Sequence, residues 1–474
     1  MKKILLIISL CVALGQNAMS DNIVKSFKSY YSSEYQGEYA LTGCFQGVSG
    51  NGKYAVGYDD GVFDFISYLW NAENPDKLEY FYFSCYMSDV ADDGTVVGAA
   101  LFKEGVNEGA PAYYKDGKWT FLPMHETCYG TDPGTNMAVR ISPDGKYIGG
   151  MICCEHATGE QKKIYPCLWT RNDATGEYDL TVHNNINLPD HQGFILYDMS
   201  DDGRYLVGRV FTGFGSTIPA YIKDGELYLF NELTEETYIE EWDGNGDGEF
   251  TPEDPNSYDV YLETTDWYID GVKDQAQADG QIMSVDNEGN MVGWITHLSE
   301  EASYNTGIFF NEEKNNGELV DLPHMFGCVV QGEDCIFASD GAYGDVFYMR
   351  SATDEGIEIS EAFEVEKDKF SLVFEMSNDS KVLVGATVFA GEQSYNQPFL
   401  LMLENPCSGI QTITTDNGNI EISAKAGEIN VAGAKDVAVY SLNGTLISKN
   451  AVVSVPAGIY IVKADGNATK VVVK

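Results

Sequence analysis

The stretch "SPDGKYIGG" (residues 142–150) has close relatives at "VSGNGKYAVG" (48–57), "VADDGTVVG" (90–98), "MSDDGRYLVG" (199–208), "SVDNEGNMVG" (284–293) and "MSNDSKVLVG" (376–385). Just before it "NMAVRIS" alternates apolar and polar residues, "PDG" is turn chemistry, and "KYIGGMICC" is β-rich again, which reads as strand, tight turn, strand. A polar loop "EHATGEQK", a strand "KIYPCLWT", a turn "NDATG" and a strand "EYDLTVHN" follow, giving four antiparallel strands per unit. The same order recurs in a second unit ("YMSDVA", "TVVGAALF", "APAYYK", "KWTFLP") and in a fourth ("LYDMS", "RYLVGRV", "IPAYIK", "ELYLFN").

With the turn glycine as marker, the copies fall at Gly52, Gly94, Gly145, Gly203 and Gly289, with a weakened "ASDGAYG" at Gly341 and Ser380 in the glycine's place. The steps between them are 42, 51, 58, 86, 52 and 39 residues. Four strands every 40–50 residues or so is the period of a propeller blade. The seventh unit has "LVFEMS", "KVLVGATVF" and "QPFLLML" but then runs into "ENPCSG" without a fourth strand, while "VKSFKSYYSS" (24–33) precedes the first unit unassigned. A last blade that borrows its outer strand from the N-terminus accounts for both, and closure removes exposed sheet edges. The expected fold is therefore all-β, a seven-bladed β-propeller over about residues 24–405, with a β-sandwich of chance turn similarity as the alternative.

The chain opens with "MKKILLIISLCVALGQNAMS", two lysines followed by an apolar run from Ile4 to Leu14 and then Ala18 and Ser20 at small-residue spacing, which reads as a signal peptide over 1–20. The bulky Leu10 before Cys11 argues against acylation there. Export is thus expected, and no later stretch is long and apolar enough to be a transmembrane segment. The sequence holds 29 basic and 73 acidic residues; losing Lys2 and Lys3 with the signal leaves 27 against 73, a net charge of −46. Such a chain repels nucleic acid and anionic lipid. It is not disordered on that account, because 44% hydrophobic and 12% aromatic residues suffice for a large core. Nine cysteines remain after the signal, without zinc spacing. In "CVVQGEDC" a two-residue Gln331-Gly332 turn would set Cys328 across from Cys335, and Cys153 or Cys154 could face Cys167 in the same way, against the alternative of buried free thiols.

The fifth unit, "IMSVDNEGNMVGWITH…YNTGIFFN…GELVDLP", resembles the HAF-type repeat of secreted bacterial proteins, and "SPDGK" is similar to the turn of TolB-like propellers. The resemblance spans about residues 40–405 and implies a fold, since these repeats share no catalytic residue. "VAVYSLNGTLISK" (437–449) and "VPAGIYIVKADGNATKVVVK" (455–474) resemble the C-terminal sorting domain of type IX (Por) secretion substrates in Bacteroidetes. The matching elements are the Val-Tyr strand, the Asn443-Gly444 turn, the Gly458-Ile459-Tyr460 step and the terminal "KVVVK". That resemblance implies type IX secretion machinery as a partner, and surface attachment or release. The expected layout is a signal peptide (1–20), the propeller (21–405, with an acidic insertion at 231–279) and a sorting β-sandwich (406–474).

In a blade of strands A to D, the A–B and C–D turns share one face and the B–C and D–A loops the other. The variable loops here are B–C loops, "YDDGVFDF", "FKEGVNEG", "FTGFGST", "HLSEEASYN" and "FAGEQSYN". They offer Phe63, Phe65, Phe102, Phe211, Phe214, Tyr304 and Tyr395, flat rings suited to sugar or peptide surfaces, although several could equally pack between blades. "LPMHE", "LPDHQ" and "LPHMF" add His125, His191 and His324 on the same face, as metal ligands or acid/base groups, or as mere followers of a strand-ending Leu-Pro. No GxSxG, HExxH, Walker-type or dinucleotide fingerprint occurs in its required context.

"DGNGDGEFTPED" (243–254) places Asp243, Asn245 and Asp247 at loop positions 1, 3 and 5, Gly248 at the sharp turn, Glu249 to give its backbone carbonyl, and Asp254 at position 12. This is oxygen-only, hard-cation spacing, and it resembles a dockerin or EF-hand calcium loop, single and followed by Pro252 and Pro255 where a helix would begin. The expected cofactor is structural calcium. The expected function is a secreted or cell-surface binding protein of Bacteroidetes type, holding an extracellular glycan, peptide or protein ligand on the B–C/D–A face and not acting as an enzyme. A secreted hydrolase or lyase on polysaccharide or peptide, and a structural surface-layer component, are the alternatives.

Overall fold

A computed structural model describes residues 23–403 and 413–473 apart from 28, 33–36, 42, 60–65, 83–84, 101–108, 129–134, 160–161, 187–190, 213–216, 230–232, 243–257, 270–271, 299–302, 312–315, 324, 333–334, 341–344, 350, 352–355, 364, 366–371, 390–394, 415–420, 426–427, 442–445, 457 and 465–466. The chain divides into two compact units, Met1–Pro406 and Cys407–Lys474. Both are built almost wholly of antiparallel strands, and among the described residues only Ile359–Ala362 is α-helical.

In the first unit the strands pair in sequence order. The first sheet holds Cys44–Val48, Tyr54–Asp59, Ile66–Asn71 and Leu78–Tyr82; the second Cys85–Val90, Val96–Ala100, Ala110–Lys115 and Lys118–Phe121. The third holds Met137–Ile141, Tyr147–Glu155, Lys162–Arg171 and Tyr178–Val182, and the fourth His191–Met199, Tyr205–Thr212, Thr217–Lys223 and Glu226–Leu229. These two touch through one parallel pairing, Ile164 with Gly193. The fifth holds Val272–Val285, Asn290–Leu298, Ser303–Asn311 and Asn316–Pro323, extended by a hairpin of Leu233–Trp242 and Tyr258–Ile269. The sixth holds Met325–Val330, Ile336–Asp340, Val346–Met349 and Ile357–Glu358. Leu372–Met376, Val382–Phe389 and Tyr395–Met402 form the last sheet, whose outer strand is Ile23–Ser26 from the chain's start, paired from Ile23 with Met402 to Ser26 with Phe399. The adjoining Ser29–Ser32 does not continue that strand but pairs with Gly37–Ala40.

The first strand of each sheet packs against the first strand of the next, and that of the last sheet packs against that of the first. The apolar cores lie in the seams between sheets. Val56 with Cys85, Met87 and Val96 fills the first seam, Phe45, Ile66 and Tyr68 with Val384 and Leu400 the closing one.

The repeated phrase is explained atom by atom. Ser142 N–H donates to Tyr147 O and Gly145 N–H to Ser142 O, while the Ser142 hydroxyl donates to Asp144 Oδ1 and accepts from Tyr147 N–H (2.8, 2.8, 2.7 and 2.9 Å). Ser200 with Asp202 and Ser377 with Asp379 repeat this lock. Its geometry needs a left-handed residue, Gly145 at φ +66°, and Ser380 holds φ +58° in the seventh copy. The closing glycine has a different cause. In every first strand the pairing register slips, as between Ala138 and Arg140 or Met87 and Asp89, so the strand bulges toward its neighbour. A Cβ on Gly150 would lie 2.3 Å from Met137 O, and one on Gly98 1.7 Å from Tyr86 O.

Three sequence expectations are corrected. The sixth copy's turn is not at Gly341: residues 331–335 connect Val330 to its partner Ile336, with Gly332 at φ +82°, so "ASDG" belongs to the end of a strand. Because that turn spans five residues, Cys328 pairs with Ala338 and is a free buried thiol, whereas Cys335 enters a disulfide whose partner lies outside the described residues. Cys153, Cys154 and Cys167 are also free; the register sets Cys153 opposite Ile164, Cys154 opposite Lys163 and Cys167 opposite Gly150.

The second unit holds two four-stranded sheets, Ile413–Thr414, Glu421–Lys425, Glu428–Ala432 and Val452–Ser454 in one, and Leu446–Ser448, Val437–Ser441, Gly458–Ala464 and Asn467–Val473 in the other. Ile422, Ile429 and Val453 of the first share one core with Val439, Val462 and Val471 of the second.

Two glycines of the phrase should fail differently. Gly145→Ala meets the left-handed backbone penalty and a 3.3 Å approach to the movable end of Arg171, and should lower stability by about 1–2 kcal/mol, whereas Gly150→Ala drives a methyl into Met137 O and the Trp169 ring and should cost about 3 kcal/mol, both read from urea unfolding midpoints.

Candidate functional site

In five of the sheets the bulge turns one side chain of the first strand toward a neighbouring sheet. In the second, third, fourth, fifth and seventh sheets that residue is Asp89, Arg140, Asp198, Ser284 and Glu375. Asp89 Oδ2 accepts the Ile141 N–H of the third sheet at 2.8 Å, and Asp198 Oδ2 the Val285 N–H of the fifth at 2.9 Å. Ser284 Oγ accepts from Val330 of the sixth sheet (3.4 Å), Ser339 Oγ of the sixth from Val373 of the seventh (3.2 Å), and Glu375 Oε2 from Val48 of the first (2.9 Å). Arg140 Nε donates to Asp198 Oδ1 at 2.9 Å and so joins the third sheet to the fourth. Its Nη1 donates to Gln46 O of the first sheet (3.3 Å) and stands 3.8 Å from Glu375 Oε2 of the seventh. Between the first and second sheets, among the described residues, no first-strand side chain accepts from its neighbour, and the seam is bridged instead by the Ser67 hydroxyl, which donates to Cys85 O at 2.6 Å. There Gly47 replaces a side chain, because a Cβ would fall 2.6 Å from Asp89 Cα.

Three carboxylates therefore surround one guanidinium with little solvent to screen them. Burial pushes the Asp89 carboxyl up to about 7, despite the opposing pull of Arg140 and two backbone N–H groups. Glu375 lies well above the usual carboxylate range, through burial first and then the Asp89 charge. Burial alone would lower Arg140, yet Glu375, Asp198 and Asp89 together hold its proton more tightly than usual. The A–B turns then cover this cluster on one side. Asp201 N–H donates to Asn287 Oδ1 and Asn287 Nδ2 returns a bond to Asp201 Oδ2, both at 2.8 Å, and Asn378 Nδ2 of the seventh sheet also donates to Asp201 Oδ2. The space left among Asp198, Asp201, Asp286, Glu375 and Asn378 is about 50 Å³. Such a cluster can hold sheets together, but it has no room to receive a substrate.

A much larger cavity, about 860 Å³, opens between the outer strand of the third sheet and the Asp202-Gly203-Arg204 and Asp224-Gly225-Glu226 turns of the fourth. Leu206 and Ile222 lie at its base, and Thr181, His183 and Asn185 along one wall.

Of the residues expected on the loop face, Phe63, Phe65, Phe102, Phe214 and His324 lie outside the described residues, as do Asp243, Asn245, Asp247, Glu249 and Asp254. Phe211 is half-buried at the end of its strand, paired with Thr217. Tyr304 and Tyr395 lie in strands and not loops, paired with His297 and Phe389. His191 starts the fourth sheet opposite Thr212. His125 stays local, its Nδ1 2.8 Å from Thr127 Oγ1. The Leu-Pro before it is structural, since Leu122 is buried and Pro123 O accepts the Trp169 indole N–H at 2.8 Å. Among the described residues no three His, Cys, Asp or Glu side chains are placed to hold a metal ion, and no helix is long and apolar enough to cross a membrane.

No family model matches the chain, and no curated protein does. The solved structures to which it is similar are β-propellers. They include the β-propeller domain of the Trilobed protease from Pyrococcus furiosus (TM-score 0.40, 8% identity, 76% of this chain and 95% of that one) and the Dos1 propeller (0.36, 10%, 94% and 94%). TolB from Acinetobacter baumannii is a third (0.32, 10%, 75% and 81%).

These buried carboxyls contribute a pH dependence of stability. The stability that the protonated Asp89 contributes is present at low pH and is lost as pH rises from the ordinary carboxylate range through about 7. Unfolding by urea should thus need less denaturant at about pH 8 than at about pH 5. Glu375→Gln keeps an oxygen for the Val48 N–H, removes one buried charge and should flatten that difference; an unchanged slope would rule this out.

Proposed function

We propose that the chain is an exported, non-catalytic binding protein: a seven-bladed β-propeller that presents a glycan, peptide or protein ligand site on its B–C/D–A loop face, followed by a β-sandwich sorting module. The observation that carries the reading is the use of the axial acids. Asp89, Asp198 and Glu375 spend their oxygens on backbone N–H groups of neighbouring sheets, which makes the ring a rigid frame and leaves recognition to the connections that vary between repeats. The turns on the opposite face are short and tied to each other, as Asn51 N–H is to Asp92 Oδ1 at 2.7 Å and Gly332 N–H to Asp286 Oδ2 at 2.9 Å. The motifs of residues 437–474 support a type IX (Por) address in a Bacteroidetes host, and the first 20 residues support export.

Mature protein applied to glycan and protein arrays should bind without turning its ligand over, and Phe211→Ala or Tyr304→Ala should weaken binding about tenfold, the scale of one lost aromatic contact. Release of a cleaved product from the bound ligand would instead favour the hydrolase or lyase. Removing residues 407–474 should leave the chain in the periplasm of a type IX host; surface display of the truncated chain would contradict the sorting role.

The insertion at 231–279 is given a structural calcium ion on Asp243, Asn245, Asp247, the Glu249 carbonyl and Asp254. Support comes from the residue pattern and from the flanking strands, which pair Trp242 with Tyr258 and so bring the loop's two ends together. Without a cation the three aspartates repel one another, with Glu240, Glu241 and Glu253 adding to the charge. Calorimetry should detect binding at about millimolar calcium, and the pair Asp243→Ala, Asp247→Ala should abolish it and open the insertion to proteolysis while the sheets stay resistant. No heat of binding from wild type would remove the ion from the account.

A further inference from the structure

We propose that the cleft between the third and fourth sheets binds a neutral saccharide unit, at a site separate from the loop face. Its base is apolar. Leu206 and Ile222 are buried and Leu168 half-buried, a floor of the kind that takes the C–H face of a sugar ring. Around it stand four polar side chains, Thr181, His183, Asn185 and Asp224, none of which makes a side-chain hydrogen bond among the described residues. The C–D turn puts Asp224 there. Both Asp224 (φ 51°) and Gly225 (φ 85°) are left-handed, and the turn runs beside the His183 ring, whose Nδ1 would stand in ordinary contact, 3.5 Å, with a Cβ at Gly225.

The mixture of donors and acceptors selects the ligand class. Burial lowers the proton affinity of His183, so its ring offers one donor and one acceptor. The Thr181 hydroxyl and Asn185 amide each offer both, and Asp224 accepts only. A hydroxyl group donates and accepts and can answer all four. An ammonium or guanidinium group only donates, and would leave the imidazole, hydroxyl and amide donors unanswered. An anion would meet Asp202, Asp224 and Glu226, while the one guanidinium on the wall is committed elsewhere: Arg204 lies over the Tyr205 ring at 4.8 Å, and its Nη2 donates to Asn287 O at 3.1 Å. The volume of about 860 Å³ has room for a short oligosaccharide.

The test uses the mature full-length chain labelled with ¹³C at the histidine rings, titrated with glucose, galactose, mannose, N-acetylglucosamine and their β-linked disaccharides. The His183 resonance, identified by its loss in His183→Ala, should move saturably with at least one of these. Asp224→Asn, an exposed change that keeps a residue suited to the left-handed turn, should weaken the same binding about tenfold, and this variant carries the test should His183→Ala fail to fold. The proposal is overturned if no saccharide moves the resonance, if Asp224→Asn binds as wild type does, or if an oligolysine moves it and the saccharides do not.

Discussion

The contact on which the first unit depends is that of one guanidinium with three carboxylates near the meeting point of its sheets. Arg140 belongs to the third sheet, bonds to Asp198 of the fourth and to a backbone carbonyl of the first, and lies beside Glu375 of the seventh. Buried ion groups are a weak source of net stability, because desolvation offsets their attraction. What they supply here is geometry. Every partner is a group that an apolar substitute could not satisfy, and the carboxylate oxygens reach specific N–H groups on the adjoining sheet. Apolar seams would pack at several angles, whereas hydrogen bonds from sheet to sheet admit one.

The repeat, the bulge and the glycines follow from that requirement. A first strand can aim a polar side chain at its neighbour only if the regular alternation of faces is broken, which the slipped register does. The slip brings a backbone carbonyl against the second strand, and only glycine fits there. The serine and aspartate of the turn then fix where the second strand begins. The phrase "SPDGKYIGG" is thus a set of coupled steric and hydrogen-bonding demands, renewed in each sheet.

Much of this was legible because those demands are local. Serine, aspartate and glycine at fixed spacing mark the turn, and the strands around them were readable from alternation. The outer strand supplied by Ile23–Ser26 was also legible, since an unfinished last unit and an unassigned first segment call for each other. Reading stopped where geometry is not local. "ASDG" at 338–341 looks like the turn of "VADDG", yet hairpin pairing places the sixth turn at Gly332, because the apolar residues on either side of "QGED" satisfy each other. The same shift moved Cys328 away from Cys335. Asp89, Arg140, Asp198, Ser284 and Glu375 were visible as polar residues five positions before the turn marker in otherwise apolar strands. Their partners lie 46 to 327 residues away in the chain, beyond anything periodicity reports. Half of the cleft was likewise hidden, for Thr181, His183 and Asp224 come together only when two sheets meet.

The tie through Arg140 is open to one direct measurement. Arg140→Met keeps the apolar stem of the side chain but removes the guanidinium and leaves the three acids facing one another. Urea unfolding of this variant, with backbone amide hydrogen exchange on the same sample, should show a loss of about 3–5 kcal/mol and faster exchange at Val48 and Val285, which lie in the first and fifth sheets. A loss below about 1 kcal/mol, or faster exchange confined to the third sheet, would mean that the sheets are held by their apolar seams and that the axial cluster is incidental.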